Sequence, residues 1–226
     1  MRQKWRDLFF IHWEVDSQLI QDTLPKHLTV DTYANKAYIG LVLFKVFDVR
    51  IAFLPPLPCI SSFLEINVRT YVYDQKGMKG IWFYSLDANS LAAVTFAKHF
   101  FFLPYIYSEI ACLEKDHACQ YILSRKNASH QDIFPLSYQD PAFFKAIPGT
   151  LEHFLIERYV LFTEKRGSLF SGRVSHAPYD LTLGMHHVHP TNPHLLERFQ
   201  VGASPQVPLL FSPGVDVKVH PLIKEA

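Results

Sequence analysis

No stretch of this 226-residue chain is both long and apolar enough to span a bilayer as a helix. The longest run without a charge, Ile51 to Leu64, is interrupted by Pro55, Pro56 and Pro58. Neither sign of charge dominates: 22 Lys and Arg stand against 21 Asp and Glu, a net charge of +1. That balance provides no basic field of the kind that holds nucleic acid or an anionic membrane, so both partners are excluded. Cysteine is scarce. Cys59, Cys112 and Cys119 cannot all pair within one chain and form no CxxC, so reduced, buried thiols in a cytoplasmic protein are expected. At the N-terminus, Asp7, His12 and Glu14 interrupt what a signal peptide would need as an apolar core. The nine glycines are scattered, and no repeat or low-complexity tract divides the chain, so one domain over 1–226 is expected. Motifs that would announce a chemistry are missing as well: there is no GxSxG, Walker loop, GxGxxG or HExxH.

Bulky β-formers are plentiful. Aromatic residues make up 15% of the chain, with 19 Phe and 11 Tyr, and hydrophobic residues 49%. Residues 5–15 and 36–49 read as strands. Between them Asp16-Ser17 can cap a short helix over 18–23, which Pro25 stops. Residues 65–73 and 80–87 read as two arms of a hairpin around Asp74-Gln75-Lys76-Gly77. A helix follows from Ser90 to about Phe101, capped by Asp87 or Asn89. A strand is expected over 121–126, short helices at Asp140-Pro141, Thr150 and Asn192-Pro193, a hairpin over 159–176 and a closing strand over 215–219. The fold class is therefore α+β, with a mainly antiparallel sheet.

The most informative strand is 65–73. Its alternation sets Ile66, Val68, Thr70 and Val72 on one side and Glu65, Asn67, Arg69, Tyr71 and Tyr73 on the other. In an open sheet the second face is solvated; in a curved or closed one it lines a cavity, and each charge there needs a partner from a neighbouring strand. Ser85 and Asp87, which share a face of the next strand, could supply one. His186, His187 and His189 cluster in GMHHVHP, but no acidic or cysteine ligand falls at a helpful spacing, so a polar loop is expected there and no metal.

Several blocks resemble the YqjF-like family of unassigned function. They are Phe9-Ile11-His12-Trp13-Val15, Glu65 to Val72, Phe83-Ser85-Leu86-Asp87-Ala88, Leu103-Pro104-Tyr105, Phe154-Leu155-Glu157-Arg158-Tyr159, His176-Ala177-Pro178-Tyr179 and Ser212 to Val217. They run in order along nearly the whole chain. That family is in turn similar to acetoacetate decarboxylase, which implies a curved antiparallel sheet or barrel around a buried polar pocket, with a few short helices packed on it. The resemblance matches Glu65 to a pocket glutamate and the helix ending at Leu103-Pro104 to the segment that leads into a pair of lysines, one of which forms a Schiff base. Here Tyr105 and Ile106 follow Pro104, and Lys-Lys occurs nowhere in the chain. Decarboxylation through that pair is not expected.

The resulting expectation is a pocket formed by Glu65, Asn67, Arg69, Tyr71, Asp87, Tyr105, Arg158 and His12, holding a small molecule with a carboxylate or keto group and needing no cofactor. Arg158 holds Glu65 or Asp87, or a substrate carboxylate; His176 is a further candidate. Any activity would be lyase-like, on a small keto acid. The alternative is a non-catalytic interaction or structural protein that uses Phe100-Phe101-Phe102 and the 54–58 loop to form a homo-oligomer or hold a partner.

Overall fold

The computed structural model describes residues 1–50, 61–126, 128–139, 142–186, 193–202 and 204–225. Thirteen strands are found among them: β1 (Arg2–Val15), β2 (Leu28–Val30), β3 (Ala37–Arg50), β4 (Ser62–Asp74), β5 (Lys79–Ala88), β6 (Tyr105–Lys115), β7 (Ala118–Arg125), β8 (Asp132–Tyr138), β9 (Val160–Lys165), β10 (Ser168–Ser175), β11 (Thr182–His186), β12 (Leu210–Val219) and β13 (Ile223–Lys224). The helices are α1 (Ser17–Gln21), α2 (Leu91–Phe101), α3 (Leu151–Ile156) and a 3-10 turn, His194–Phe199. No described helix is long and apolar enough to cross a membrane.

Side chains fix the helix starts. Asp16 accepts from the amides of Gln18 and Leu19, and Thr150 from that of His153. On α2 the cap is Ser90, bonded to the Ala93 amide, and neither Asp87 nor Asn89. Asn89 instead accepts from the Leu64 amide at 2.8 Å and ties the helix entry to β4. The expected helix start at Asp140-Pro141, the 54–58 loop, Cys59, His187 and His189 lie outside the described residues.

Strand pairing closes the sheet twice. One circuit runs β5–β4–β3–β1–β12–β10–β9 and back to β5; the other leaves β12 through β11, β8, β7 and β6 to reach β5. The two barrels share a wall of five strands, β5, β4, β3, β1 and β12. The fork at one edge is β5, whose Ile81 and Trp82 pair with β9 while Leu86 to Ala88 pair with β6. At the other edge β12 gives Phe211 to β11 and Val219 to β10.

A shared wall is buried on both faces, which explains its near-continuous apolar runs. Alternate residues enter different cores: Leu8, Phe10, Val42 and Phe44 face the first barrel; Phe9, Ile11, Leu41, Leu43, Ile66 and Val68 face the second. Three register shifts reset this alternation, one of them on β3 at Asp48, between the Lys4–Phe47 and Arg2–Arg50 pairs. Asp7, at φ 52°, breaks the β1–β3 register, so Trp5 and then Leu8 turn to the first barrel. Its carboxylate reaches Lys45, which also pairs with Glu114. On β5 the register shifts between Val68–Ser85 and Arg69–Phe83, leaving Tyr84 as the extra residue.

Candidate functional site

The first barrel encloses a cavity whose free volume, about 120 Å³, lies against the inward face of β4. Strand register arranges its wall in layers. Glu65 pairs with Phe44 and Ala88, Asn67 with Val42 and Leu86, and Arg69 with Gly40 and Phe83. Tyr105 enters from the start of β6 and Arg158 from the segment after α3. The polar side chains therefore sit towards the end that α3 covers. The rest of the wall includes Phe63, Trp5, Val49, Gln3 and the α2 residues Phe96, Ala97 and Phe101.

Five of the expected residues, Glu65, Asn67, Arg69, Tyr105 and Arg158, come together on this surface. Tyr71 and His12 lie behind it. The Tyr71 hydroxyl donates to the Leu155 carbonyl oxygen at 2.8 Å and lies 2.7 Å from His12 Nε2. Because that hydroxyl has one proton and spends it on Leu155, His12 is the donor through Nε2. Burial, aided by the Arg69 charge, holds the imidazole well below its ordinary value and thus neutral. Gly40 makes the arrangement possible: a Cβ there would sit 3.0 Å from the His12 ring. His176, half-buried among Trp5, Tyr159 and Tyr179, is not part of the cavity surface either.

Asp87 is also not in the cavity. A regular ladder from the 74–77 turn would set it opposite Glu65, but the Tyr84 bulge moves it opposite Ile66, on the second-barrel face. There it is fully buried, accepts from Ser108 at 2.7 Å and receives Nε and Nη2 of Arg125, each at 2.7 Å. Ser85, on the same face, takes a further bond from Arg125. Arg158, for its part, holds neither Glu65 nor Asp87. Its Nη2 pairs with Asp31 at 2.8 Å and its Nε donates to the Phe154 carbonyl oxygen. Asp31, just after β2, was not legible as a partner: it adjoins a three-residue strand with no pattern of its own.

Arg69 is different. It is 8% exposed, its Nη2 donates to the Leu155 carbonyl oxygen at 3.1 Å, and its Nε has no partner. Among the described residues no carboxylate pairs with it. Phe10 and Tyr71 lie 5.8 and 5.9 Å from the guanidinium carbon, contacts too weak to replace a counter-ion.

Glu65 is equally buried and, among the described residues, forms no ion pair with a cation. Tyr105 donates to Oε2 at 2.8 Å, and the Asn67 amide lies 3.3 Å from Oε1. Burial pushes the carboxyl up to about 7, against the pull of those two hydrogen bonds. From about 4.5 up to about 7 the folded protein thus keeps a proton that the unfolded chain has released. Stability must fall as pH rises through that window, by on the order of 3 kcal/mol, and level off above it. Glu65→Gln, which cannot ionise, is expected to match the parent near pH 5 and exceed its stability near pH 8 in urea unfolding. Parallel pH profiles of the two proteins would refute the assignment.

A family model covers residues 2–216 of the chain, that of DUF2071, described as an uncharacterized conserved protein. The chain belongs to that family. It is 38% identical over 183 residues to the uncharacterized protein YqjF of Bacillus subtilis (strain 168), covering 79% of this chain and 74% of that one. Among solved structures the chain resembles acetoacetate decarboxylase from Legionella pneumophila, with a TM-score of 0.70 at 13% identity over 100% of this chain and 88% of the other. It also resembles the enduracididine biosynthesis enzyme MppR complexed with pyruvate, with a TM-score of 0.66 at 11% identity over 99% and 89%. The DUF2071 chain thus has the acetoacetate-decarboxylase-like fold. At these identities the likeness extends to the fold alone. No lysine lines the cavity among the described residues, and Tyr105, directly after Pro104, bonds to Glu65.

Proposed function

We propose that the protein binds a small carboxylate-bearing molecule in the first-barrel cavity, with Arg69 receiving the carboxylate and Glu65 and Tyr105 facing the rest of it. The observation that carries this reading is the unpaired Arg69 guanidinium in a cavity wall. Isolated charges in an interior are expensive, and a bound anion offsets that cost with charge-assisted hydrogen bonds. With Glu65 near its midpoint at neutral pH and Arg158 already neutralised by Asp31, the cavity is net cationic. Glu65 is also poised to accept or give a proton at the ligand, as general acid–base chemistry near pH 7 requires. That the neighbouring fold of MppR holds pyruvate is in keeping with a keto-acid-sized guest.

An interaction role has less support. Leu91 and Phe100 of α2 are each 63% exposed, but scattered exposed hydrophobic residues are ordinary on a protein surface. The test is thermal unfolding with a panel of small carboxylates and their neutral amides. A ligand at one hundred times its Kd adds about 2.7 kcal/mol, which for a chain of this length raises Tm by roughly 5–10 °C. Acids are expected to stabilise and amides not. Equal effects from both sets would remove the carboxylate from the reading.

A further inference from the structure

A second concavity, of about 520 Å³, has Arg2, Lys4, Asp48, Arg50, Ser175 and Lys218 in its lining. Strand register explains its charge. Arg2 of β1 lies opposite Lys218 of β12 on one side and Arg50 of β3 on the other, and Lys218 lies opposite Ser175 of β10. Residues directly opposite share a face, and adjacent strands are about 4.8 Å apart, so three cations stand in one row within roughly 10 Å. Gln3, the next residue on β1, lines the first-barrel cavity, so the row points to the other side of the sheet, where all three cations are exposed. The adjoining row is balanced: Lys4 lies opposite Asp216 and pairs with Asp48 at 2.6 Å, while Asp216 also takes the Arg6 guanidinium. Both acids of the concavity are thereby engaged. Among the described residues no carboxylate forms an ion pair with Arg2, Arg50 or Lys218, and residues 51–60, which follow Arg50, contain no Asp or Glu. Like charges directly opposite one another are destabilising, which sets this row apart from an ordinary solvated face.

We infer that the Lys218–Arg2–Arg50 row is an anion site for a soluble phosphate-type ligand with at least two negative charges, a phosphate monoester or a diphosphate. A lone carboxylate brings one charge and would leave two of the cations without a counter-ion. A phosphate group offers three or more oxygens, enough for two guanidinium forks and an ammonium together. Ser175 adds a hydroxyl on the fourth strand, 3.0 Å from His220 Nε2. Val217 is the one apolar side chain in the lining among the described residues, and it is buried, so no wedge for a bilayer accompanies the cations. The inference goes beyond the carboxylate site and does not rest on it, since Arg69 and the row lie on opposite sides of the sheet.

Isothermal titration of the whole protein with diphosphate, inorganic phosphate and acetate, at one ionic strength, tests it. Diphosphate is expected to bind most tightly, phosphate less and acetate not detectably. Arg2→Gln, Arg50→Gln and Lys218→Gln should each weaken diphosphate about two- to fivefold, the worth of an exposed charge pair, and the triple variant on the order of 10- to 100-fold. Lys115→Gln, which removes an exposed charge at the end of β6, and Arg69→Met should leave it unchanged. Arg2→Glu sets a carboxylate between Lys218 and Arg50; it should abolish binding and raise the Tm of the ligand-free protein by roughly 2–4 °C. A lower Tm for that variant would show that the row is not in need of a counter-charge, and the inference fails. It fails also if Lys115→Gln costs as much as the row variants, which would mean diffuse charge, or if acetate matches diphosphate. Loss of binding in Arg69→Met alone would put the anion in the first-barrel cavity. If no phosphate compound binds, the inference falls and the carboxylate site stands. Arg2-dependent retention on vesicles containing phosphatidate would place the phosphate on a lipid and overturn the soluble assignment.

Discussion

Arg69→Met is expected to weaken carboxylate binding by on the order of 100-fold, the worth of two charge-assisted hydrogen bonds, while leaving the empty protein at least as stable as the parent. The two halves of this result belong together. Among the described residues the guanidinium is buried without a carboxylate beside it, and it makes a hydrogen bond to the Leu155 carbonyl oxygen. Methionine fills much the same volume without a charge, and replacing an uncompensated buried ion by an apolar side chain is neutral or stabilising by about 1–2 kcal/mol. For a chain of this size that is a Tm gain of a few degrees. The Leu155 carbonyl keeps its bond from Tyr71, so the variant does not orphan it. Calorimetry with and without ligand separates the outcomes. A variant that unfolds several degrees below the parent would make Arg69 a tie that holds α3 against the barrel, and the cavity would lose its principal argument.

Asp87→Ala is expected to act in the opposite way, lowering stability by about 3 kcal/mol and Tm by roughly 10 °C, with carboxylate affinity largely retained. The aspartate is fully buried between β5, β6 and β7, and its two oxygens take both donors of the Arg125 fork and the Ser108 hydroxyl. Removing it strands a guanidinium that is 34% exposed and can turn partly to water, which keeps the cost at the lower end for a broken buried pair. Adding Arg125→Met to Asp87→Ala should recover part of the loss, because the two residues act as one unit. A strictly additive double variant would show that the pair contributes little. Loss of binding at unchanged stability would return Asp87 to the ligand site.

These two residues also show what can be read from the chain and what cannot. The 65–73 alternation, the hairpin that follows and the caps of α1 and α3 are local, and each follows from residues within one turn or one strand. Glu65, Asn67 and Arg69 were legible as a polar face for the same reason. Asp87 was misplaced because its face depends on one extra residue, Tyr84, in the ladder. Nothing in the composition of Tyr84 announces a bulge, and a shift of one residue carries every later side chain to the other face. Strands β6, β8 and β11 escaped as well. Pro135 within β8 argues against a strand by its missing donor, and the charges of β6 suit its exposed outer side. The double closure of the sheet was invisible for a further reason: pairings such as β12 with β1 join residues about 200 positions apart. Arg158 was recognised as a buried cation with the wrong partner, since Asp31 lies far away in sequence.

The wall common to both barrels has an evolutionary side. On β4 the odd positions 63 to 69 face the cavity layers, while Ile66 and Val68 fill the other core. The strand is thus written in two interleaved alphabets, one for chemistry and one for architecture. A lineage can exchange the chemical letters, including its charges, and retain the architectural ones. New reactivity can then be tried in such a protein by substituting every second residue, without inventing a new fold to hold it.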